Sequence, residues 1–448
     1  MRSVSGVRGI VGADLTRDVV ARYAAAFGAF VRARAGLRVG VGRDSRASGP
    51  ELSAAACDAL AAAGVHVVEL GMVPTPTVQL AVEELGLDGG IVVTASHNPV
   101  QWNALKFVGS AGRFLTRPEV EELFALADAE ARGGAVEPGV RTRDEAAVRR
   151  HLDKILAVPW LDVAALRERR FRVALDCVRG AGATIMPALL ESLGCAVETI
   201  DLEPDGAFPR EPEPIPEHLG GLADLVRSTG ADLGMAVDPD VDRLAVVDEV
   251  GRPIGEDYTL AFAVRAVLAR FRGPVVTNLS TSLVVDDAAR SFGVAVERAP
   301  VGEANVVERM IERGAVIGGE GNGGVILPEV HLGRDAPVAA ALVLSLLAER
   351  RESVSQIVSG APRYRIFKAK LDRPAAPLQE VYTALRERWP DAAADEQDGL
   401  RLAWSDRWIH VRPSGTEPVV RVIAEAPTEP GARSLADGGR AALAAIGA

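Results

Sequence analysis

Ile91-Val92-Val93 runs directly into Thr94-Ala95-Ser96-His97-Asn98-Pro99. An apolar run of this length reads as a buried strand, and the polar segment after it as a sharp turn. Ser96 therefore stands at a strand tip with His97 beside it, which is how a nucleophile is presented. A Ser-His pair at a turn also commonly does no more than bond the local backbone, so the loop takes its meaning from the rest of the chain.

Around that loop, strands and helices alternate. Residues 15–34 set Val19, Val20, Tyr23, Phe27, Phe30 and Val31 at helical spacing. Strands are expected over 37–42 and 65–70, with helices near 49–63 and 77–85. A polar, Gly-rich stretch near 132–145 marks a boundary. The plan then repeats: strand 171–176, helix 183–193, strand 195–200, helix 217–229 and strand 232–237. The loop EPDGAFPREPEPIP (203–216) interrupts it, too rigid and polar to be core. A third round starts near Gly255, with helices over 258–270, 281–291 and 303–313 and strands over 274–278, 294–298 and 315–317. Such alternation predicts parallel sheets covered by helices. Three α/β units in succession suggest a structural repeat, although they share no sequence identity. From about 362 the pattern changes to strand 364–370, helix 378–388, two short strands, strand 419–424 and a final helix. The units expected are 1–140, 155–254, 255–361 and 362–448.

Composition agrees with several ordinary cores. The 448 residues are 48% hydrophobic and 25% charged, and only 4% aromatic, so Ala, Val and Leu must do most of the packing. No apolar run approaches membrane-spanning length and the first residues carry no signal-peptide pattern, so a cytoplasmic protein is expected. Cys57, Cys177 and Cys195 are odd in number and lie in apolar contexts, which predicts buried thiols. A net charge of -11 argues against a nucleic-acid partner.

Three further loops carry chemistry. Asp238, Asp240 and Asp242 alternate, so their carboxylates can face one way, and like charges that close call for a cation. An all-oxygen set selects Mg²⁺ or Ca²⁺ over zinc. The segment is not an EF-hand, because Arg243 stands at the glycine position and Leu244-Ala245-Val246-Val247 reads as strand. Arg412-Pro413-Ser414-Gly415-Thr416 offers a fork of donors, two hydroxyls and free backbone N–H groups, as a phosphate dianion requires. Gly319-Glu320-Gly321-Asn322-Gly323-Gly324 precedes a strand rather than a helix, so it is no dinucleotide loop. Its glycines instead admit a ligand to the backbone, with Glu320 and Asn322 available to sugar hydroxyls. Arg8 and Lys106 add cations near the first loop, and His331 reads as structural.

Taken in order, TASHNP, DPDVDR, GEGNGG and RPSGTEP resemble the four signature loops of the α-D-phosphohexomutase superfamily, over essentially the whole chain. The resemblance implies three α/β mixed-sheet domains and a C-terminal α+β domain around a central cleft. It implies Ser96 as the phosphorylated residue, with Asp238, Asp240 and Asp242 holding one Mg²⁺ together with Ser96. It implies Arg8, His97 and Lys106 as catalytic groups, and Arg243, Glu320, Asn322 and Gly323 as sugar contacts. Arg412, Ser414, Gly415 and Thr416 would bind the phosphate not being transferred. The implied reaction interconverts hexose 6- and 1-phosphates through a bisphosphate intermediate, with hexose 1,6-bisphosphate as activator and a monomer or homodimer as the working form.

The chain departs from the common pattern at Pro239, where many relatives have glycine. It also has Asn322 and Gly324 where the sugar loop often carries serine and histidine. The Glu-Gly-Asn-Gly-Gly form looks most like the phosphoglucosamine mutase-like branch, with phosphomannomutase or phosphoglucomutase as the alternative. A phosphosugar phosphatase would not need a distal phosphate clamp, and a catalytically inert sugar-phosphate sensor would not need Ser96, three aspartates and Lys106.

Overall fold

The computed structural model describes residues 2–4, 6–129, 136–414 and 419–447. Glu130–Ala135, which includes the start of the expected boundary stretch, lies outside them.

The first sheet is mixed rather than purely parallel. Gly89–Val93, Arg38–Arg43, His66–Met72 and Arg141–Arg143 run parallel, in that order. Arg141–Arg143, inside the polar stretch read as a boundary, is thus the sheet's edge. On the other side Trp102–Gly109 returns antiparallel along Gly89–Val93, and Gly6–Ile10 and Arg2–Ser3 follow it. The helix Arg17–Arg32 buries Val20, Tyr23, Phe27, Phe30 and Val31 beneath the sheet, as its spacing requires.

The second and third sheets share one device with the first. Leu233–Val237 lies parallel to Arg172–Asp176, and Leu244–Val247 returns antiparallel along it. Ile317–Glu320 lies parallel to Val275–Asn278, and Gly324–Ile326 returns antiparallel along it. Each of the first three loops is therefore the bend between a parallel strand and its antiparallel return. The repeat foreseen from the alternation of elements is real at this level.

The fourth sheet is fully antiparallel, in the order Arg365–Asp372, Val419–Ala426, Trp408–Pro413, Leu400–Ala403, Ala393–Asp395. The helices Leu378–Arg388 and Glu429–Gly447 complete this α+β unit.

The helix Ala336–Arg350 escaped the periodicity argument because it is apolar almost all round. Such a helix has no polar stripe to reveal it and is stable only when enclosed. It is enclosed here: Val338, Leu342, Leu346 and their neighbours pack in one core with Leu175, Leu189, Val246 and Val264. That core joins the second and third units. Cys57, Cys177 and Cys195 are buried free thiols; burial pushes the Cys57 and Cys195 thiols up to about 12. Among the described residues no helix is long and apolar enough to cross a membrane.

Candidate active site

Ser96 is buried, and its backbone is left-handed (φ 50°), a conformation uncommon for a residue with a Cβ. That twist turns the hydroxyl away from its own strand and toward the second unit. Ser96 Oγ donates to Asp238 Oδ2 at 2.9 Å, and His97 Nδ1 lies 3.4 Å from Ser96 Oγ. Burial, then Arg243 and Arg8, hold the His97 imidazole well below its usual range, so it is neutral.

The antiparallel return explains why two cations attend this loop. Lys106 pairs with Val92, and Arg8 pairs with Ala104 on the next strand, so both side chains emerge on one face of the sheet. Lys106 Nζ lies 2.7 Å from Asp240 Oδ2 and 3.7 Å from Asp242 Oδ2. Burial disfavours its charged form, but Asp240 and Asp242 outweigh burial and raise its pKa. Arg8 donates to Asn98 Oδ1.

The bend from Asp238 to Arg243 is wound tightly, with Val241 also left-handed (φ 65°). Asp242 N and Arg243 N both donate to Asp238 Oδ1, at 3.1 and 3.2 Å. Thr75 ties the loop to the first unit through its hydroxyl on Asp240 Oδ2 (2.6 Å) and its N–H on Asp240 O (2.9 Å). The backbone of the loop passes close to residue 180, which is glycine: a Cβ there would stand 2.8 Å from Pro239 Cα.

The three carboxylates fit a hard cation. One oxygen from each lies within 4.8 Å of the others, all three residues are fully buried, and Asp240 Oδ1 and Asp242 Oδ1 have no hydrogen-bond partner. Unpartnered buried carboxylate oxygens are costly unless something positive meets them. Burial, then Asp242 and Asp240, push the Asp238 carboxyl well above its ordinary range, as expected of a cluster short of one positive charge. Burial works the same way on Asp240, but Lys106 and Thr75 outweigh it and keep that carboxylate ionised.

Gly323 O accepts from Leu244 N at 3.0 Å, which sets the 319–324 loop against the aspartate loop. Glu320 is buried, with Oε1 accepting from Asn278 Nδ2 (2.7 Å) and Gly302 N (3.1 Å). Asn322 Oδ1 accepts from Gly324 N at 3.2 Å and shapes the turn itself. Gly324 is where a larger residue is excluded, since a Cβ there would meet Arg334 Cδ at 2.3 Å. Arg243 Nη1 donates to Glu213 Oε1 at 3.1 Å, and its Nε lies 3.6 Å from Asp242 Oδ1.

Arg412 Nε donates to Asp398 Oδ2 at 2.7 Å, and the same oxygen accepts from Val301 N at 3.1 Å, next to the Gly302 that holds Glu320. The Arg412 strand end of the fourth unit thus borders the Glu320 loop of the third. Ser414 N donates to Val419 O at 2.8 Å. Gly415 and Thr416 lie outside the described residues.

Family models match the chain end to end. Three are described as phosphoglucomutase/phosphomannomutase alpha/beta/alpha domains I, II and III, over residues 2–133, 149–251 and 255–364. The fourth is the phosphoglucomutase/phosphomannomutase C-terminal domain, over 368–441. The chain belongs to the phosphoglucomutase/phosphomannomutase family. It is 39% identical to a probable phosphoglucosamine mutase of Methanopyrus kandleri, over 97% of this chain and 95% of that one. It is 37% identical to a phosphoglucomutase/phosphomannomutase of Thermococcus kodakarensis, over 96% and 95% respectively. A crystal structure of a phosphoglucomutase/phosphomannomutase family protein from Burkholderia thailandensis superposes with a TM-score of 0.86 at 29% identity, covering 100% of this chain and 98% of that one. As a phosphoglucomutase/phosphomannomutase family member the protein is a phosphohexomutase, an isomerase that moves a phosphoryl group within a sugar.

Within this family fold several site neighbours have no signature of their own. Arg334 is buried among three carboxylates: Asp242 (2.6 Å), Glu303 (2.9 Å) and Glu320 (2.9 Å). Gln79 of the first unit donates to Glu303 as well, at 3.1 Å. Asp44 and Arg46 lie beneath the serine loop, both fully buried. Those two were detectable, because Asp44-Ser45-Arg46 follows an apolar strand as Thr94-Ala95-Ser96 does. Arg334 and Glu303 were not, since nothing local distinguishes them from surface charges. His331 Nε2 and His151 Nε2 bond Asp335 Oδ2 at 2.8 and 2.7 Å, and Asp335 Oδ1 caps the helix Ala336–Arg350.

Proposed function

We propose that this phosphohexomutase interconverts glucosamine 6-phosphate and glucosamine 1-phosphate, with Ser96 as the residue that carries the phosphoryl group. The observation that carries the proposal is the 2.9 Å approach of Ser96 Oγ to a buried aspartate trio with two unpartnered oxygens. The likeness to a protein named phosphoglucosamine mutase supports the amino sugar. The likeness to one named phosphoglucomutase/phosphomannomutase favours glucose or mannose phosphates as the second reading.

Asp238, Asp240 and Asp242, with a phosphoserine oxygen, would hold one Mg²⁺, which suits an all-oxygen set. Bound there, the ion would neutralise charge developing on the transferring oxygens. Lys106 would add a fixed positive charge at the same place, already oriented by Asp240, so that little reorganisation accompanies the transfer. His97, neutral and beside Ser96 Oγ, is suited to hold the hydroxyl proton, and Arg8 to contact the incoming phosphate. Glu320 and Asn322, with Gly323 admitting the sugar to the backbone and Arg243 facing the triad, would grip the hexose. Arg412, Ser414, Gly415 and Thr416 would clamp the phosphate not being transferred. A hexose 1,6-bisphosphate would be both intermediate and activator, and enclosure of the cleft would keep water from the phosphoserine.

The same reading divides the chain at 1–140, 155–254, 255–361 and 362–448, with Arg141–Arg143 as an edge strand supplied by the connection. It takes the protein as a cytoplasmic monomer or homodimer.

The test combines Ser96→Ala with mass spectrometry of the purified protein. Phosphate on Ser96 and loss of mutase turnover in Ser96→Ala are expected; full turnover in that variant would remove Ser96 from the role. Comparing kcat/KM for glucosamine, glucose and mannose phosphates decides the sugar, with glucosamine expected highest.

A further inference from the structure

The serine loop hangs on a single guanidinium. Arg46 Nε pairs with Asp44 Oδ2 at 3.0 Å, and its two terminal nitrogens reach four backbone carbonyls of the turn. Nη2 donates to Ser96 O and Asn98 O, both at 2.7 Å, and Nη1 to Pro99 O at 2.7 Å and Trp102 O at 2.9 Å. All five N–H donors of the group are therefore spent on Asp44 and the loop. Asp44 closes the arrangement from behind: Thr94 Oγ1 donates to its Oδ2 at 2.7 Å, and Ser96 N donates to Thr94 Oγ1 at 2.9 Å. A left-handed serine is strained and persists only where its surroundings over-determine it. This network supplies that constraint.

The remaining face of the guanidinium is covered by another unit. The Phe208 ring lies 4.8 Å from Arg46 Cζ. Phe208 belongs to the Pro-rich loop of the second unit, and it is only 9% exposed, so the expectation that this loop contributes nothing to the interior fails at that residue. The approach is close: Gly206 has φ 73°, and a Cβ there would sit 2.4 Å from Ser45 O. Phe208 itself is held left-handed at φ 45°. Further along, Arg210 Nη2 donates to Val237 O at 2.9 Å, one residue before Asp238, and Glu213 pairs with Arg243. One loop thus touches the support of the serine and both ends of the metal loop.

We infer that the 204–213 segment is a positioning strap: Phe208 seated on Arg46 fixes the serine loop relative to the metal loop held by Arg210 and Glu213, and so sets the direction in which Ser96 Oγ points. Arg46 and Phe208 are both buried, so they act through the Ser96 backbone. The inference rests on Ser96 being the phosphoryl carrier for its effect on rate, but its effect on the loop stands apart from that reading. The ring contact is a cation–π attraction to a desolvated guanidinium, which an aromatic face supplies and an aliphatic side chain does not. A lysine in place of Arg46 would offer a point charge without the fork that spans four carbonyls.

The experiment uses the full-length protein with Mg²⁺, glucose 1,6-bisphosphate and the best of the three hexose phosphates. Phe208→Ala is expected to lower kcat roughly 10- to 100-fold with KM within about twofold, as misplacement of a reacting group does. Phe208→Tyr should recover kcat to within about threefold of the unsubstituted protein and Phe208→Leu should not, on the same stacking argument. Arg46→Lys should lose at least as much as Phe208→Ala. Hydrogen exchange of the amides over 96–105 should speed up in Phe208→Ala while the rest of the first sheet keeps its protection. Unchanged exchange there, full kcat in Phe208→Ala, or equal recovery by Leu and Tyr would each overturn the inference. Full turnover in Ser96→Ala would instead sink the assignment of the carrier and leave the exchange result untouched.

Discussion

The second and third units and the fourth unit are joined in opposite ways. Units two and three share one apolar core, with the helix Ala336–Arg350 running through it. The fourth unit keeps a core of its own, built from Val381, Leu385, Leu402, Ile409, Val420 and Val422. Its attachment to the third runs largely through polar contacts, beside the ring of Tyr364, which packs on the shared core. Glu425 Oε2 accepts from Leu283 N (2.9 Å) and Trp408 Nε1 (2.6 Å), and its other oxygen accepts from Ser282 Oγ. Ser280 Oγ meets His410 Nδ1 at 2.8 Å, and Tyr364 Oη donates to Asp287 Oδ2 at 2.7 Å. Exposing a shared apolar core costs roughly 25 cal/mol per Å², whereas polar contacts can be exchanged for water. The difference teaches that units two and three are built to hold still as one body, while the fourth can part from them at lower cost, as a clamp in the proposed reaction would need.

If that division is right, the largest loss comes from the buried charges of the fixed side. Arg334→Leu leaves Asp242, Glu303 and Glu320 buried without their common partner, and should destabilise by about 3–5 kcal/mol in denaturant unfolding. A shift under about 1 kcal/mol would mean the carboxylates find water or one another. Leu342→Ala, in the shared core, should cost about 2–5 kcal/mol and lower the second and third units together in one transition. Two separated transitions would contradict a common core.

Acid should loosen the polar joint. Burial holds the His410 imidazole down at about 4 against an ordinary 6.5. Folded His410 is therefore neutral while the unfolded chain binds a proton below pH 6.5. The contribution is complete above pH 6.5, is lost as pH falls toward 4, and changes no further below that. At about 1.4 kcal/mol per pKa unit the loss is on the order of 3 kcal/mol. Comparing unfolding midpoints between pH 7 and 4 with those of His410→Gln should show the weaker pH dependence in the variant. Smallest in global terms is Glu425→Ala, at about 1–3 kcal/mol. Its signature should be local: faster hydrogen exchange at the start of the helix Leu283–Arg290 and a larger radius in small-angle scattering. An unchanged radius would argue that the fourth unit is held by something other than these contacts.

The sequence by itself determined that loops with this chemistry sit at strand ends, because residue type and apolar periodicity are local properties. Ser96, the aspartate trio and Glu320 were legible for that reason, and so were most helices with one apolar stripe. Ala336–Arg350 was not, since a helix enclosed on all sides carries no stripe, and the antiparallel returns were not, since direction depends on which strand is met next. Only the tertiary structure decided which charges are buried and whom they face. Arg334 among three carboxylates, Glu303 beside it and Glu425 across the joint look in sequence like any surface residue. Their role follows from desolvation, which exists only once distant segments close around them.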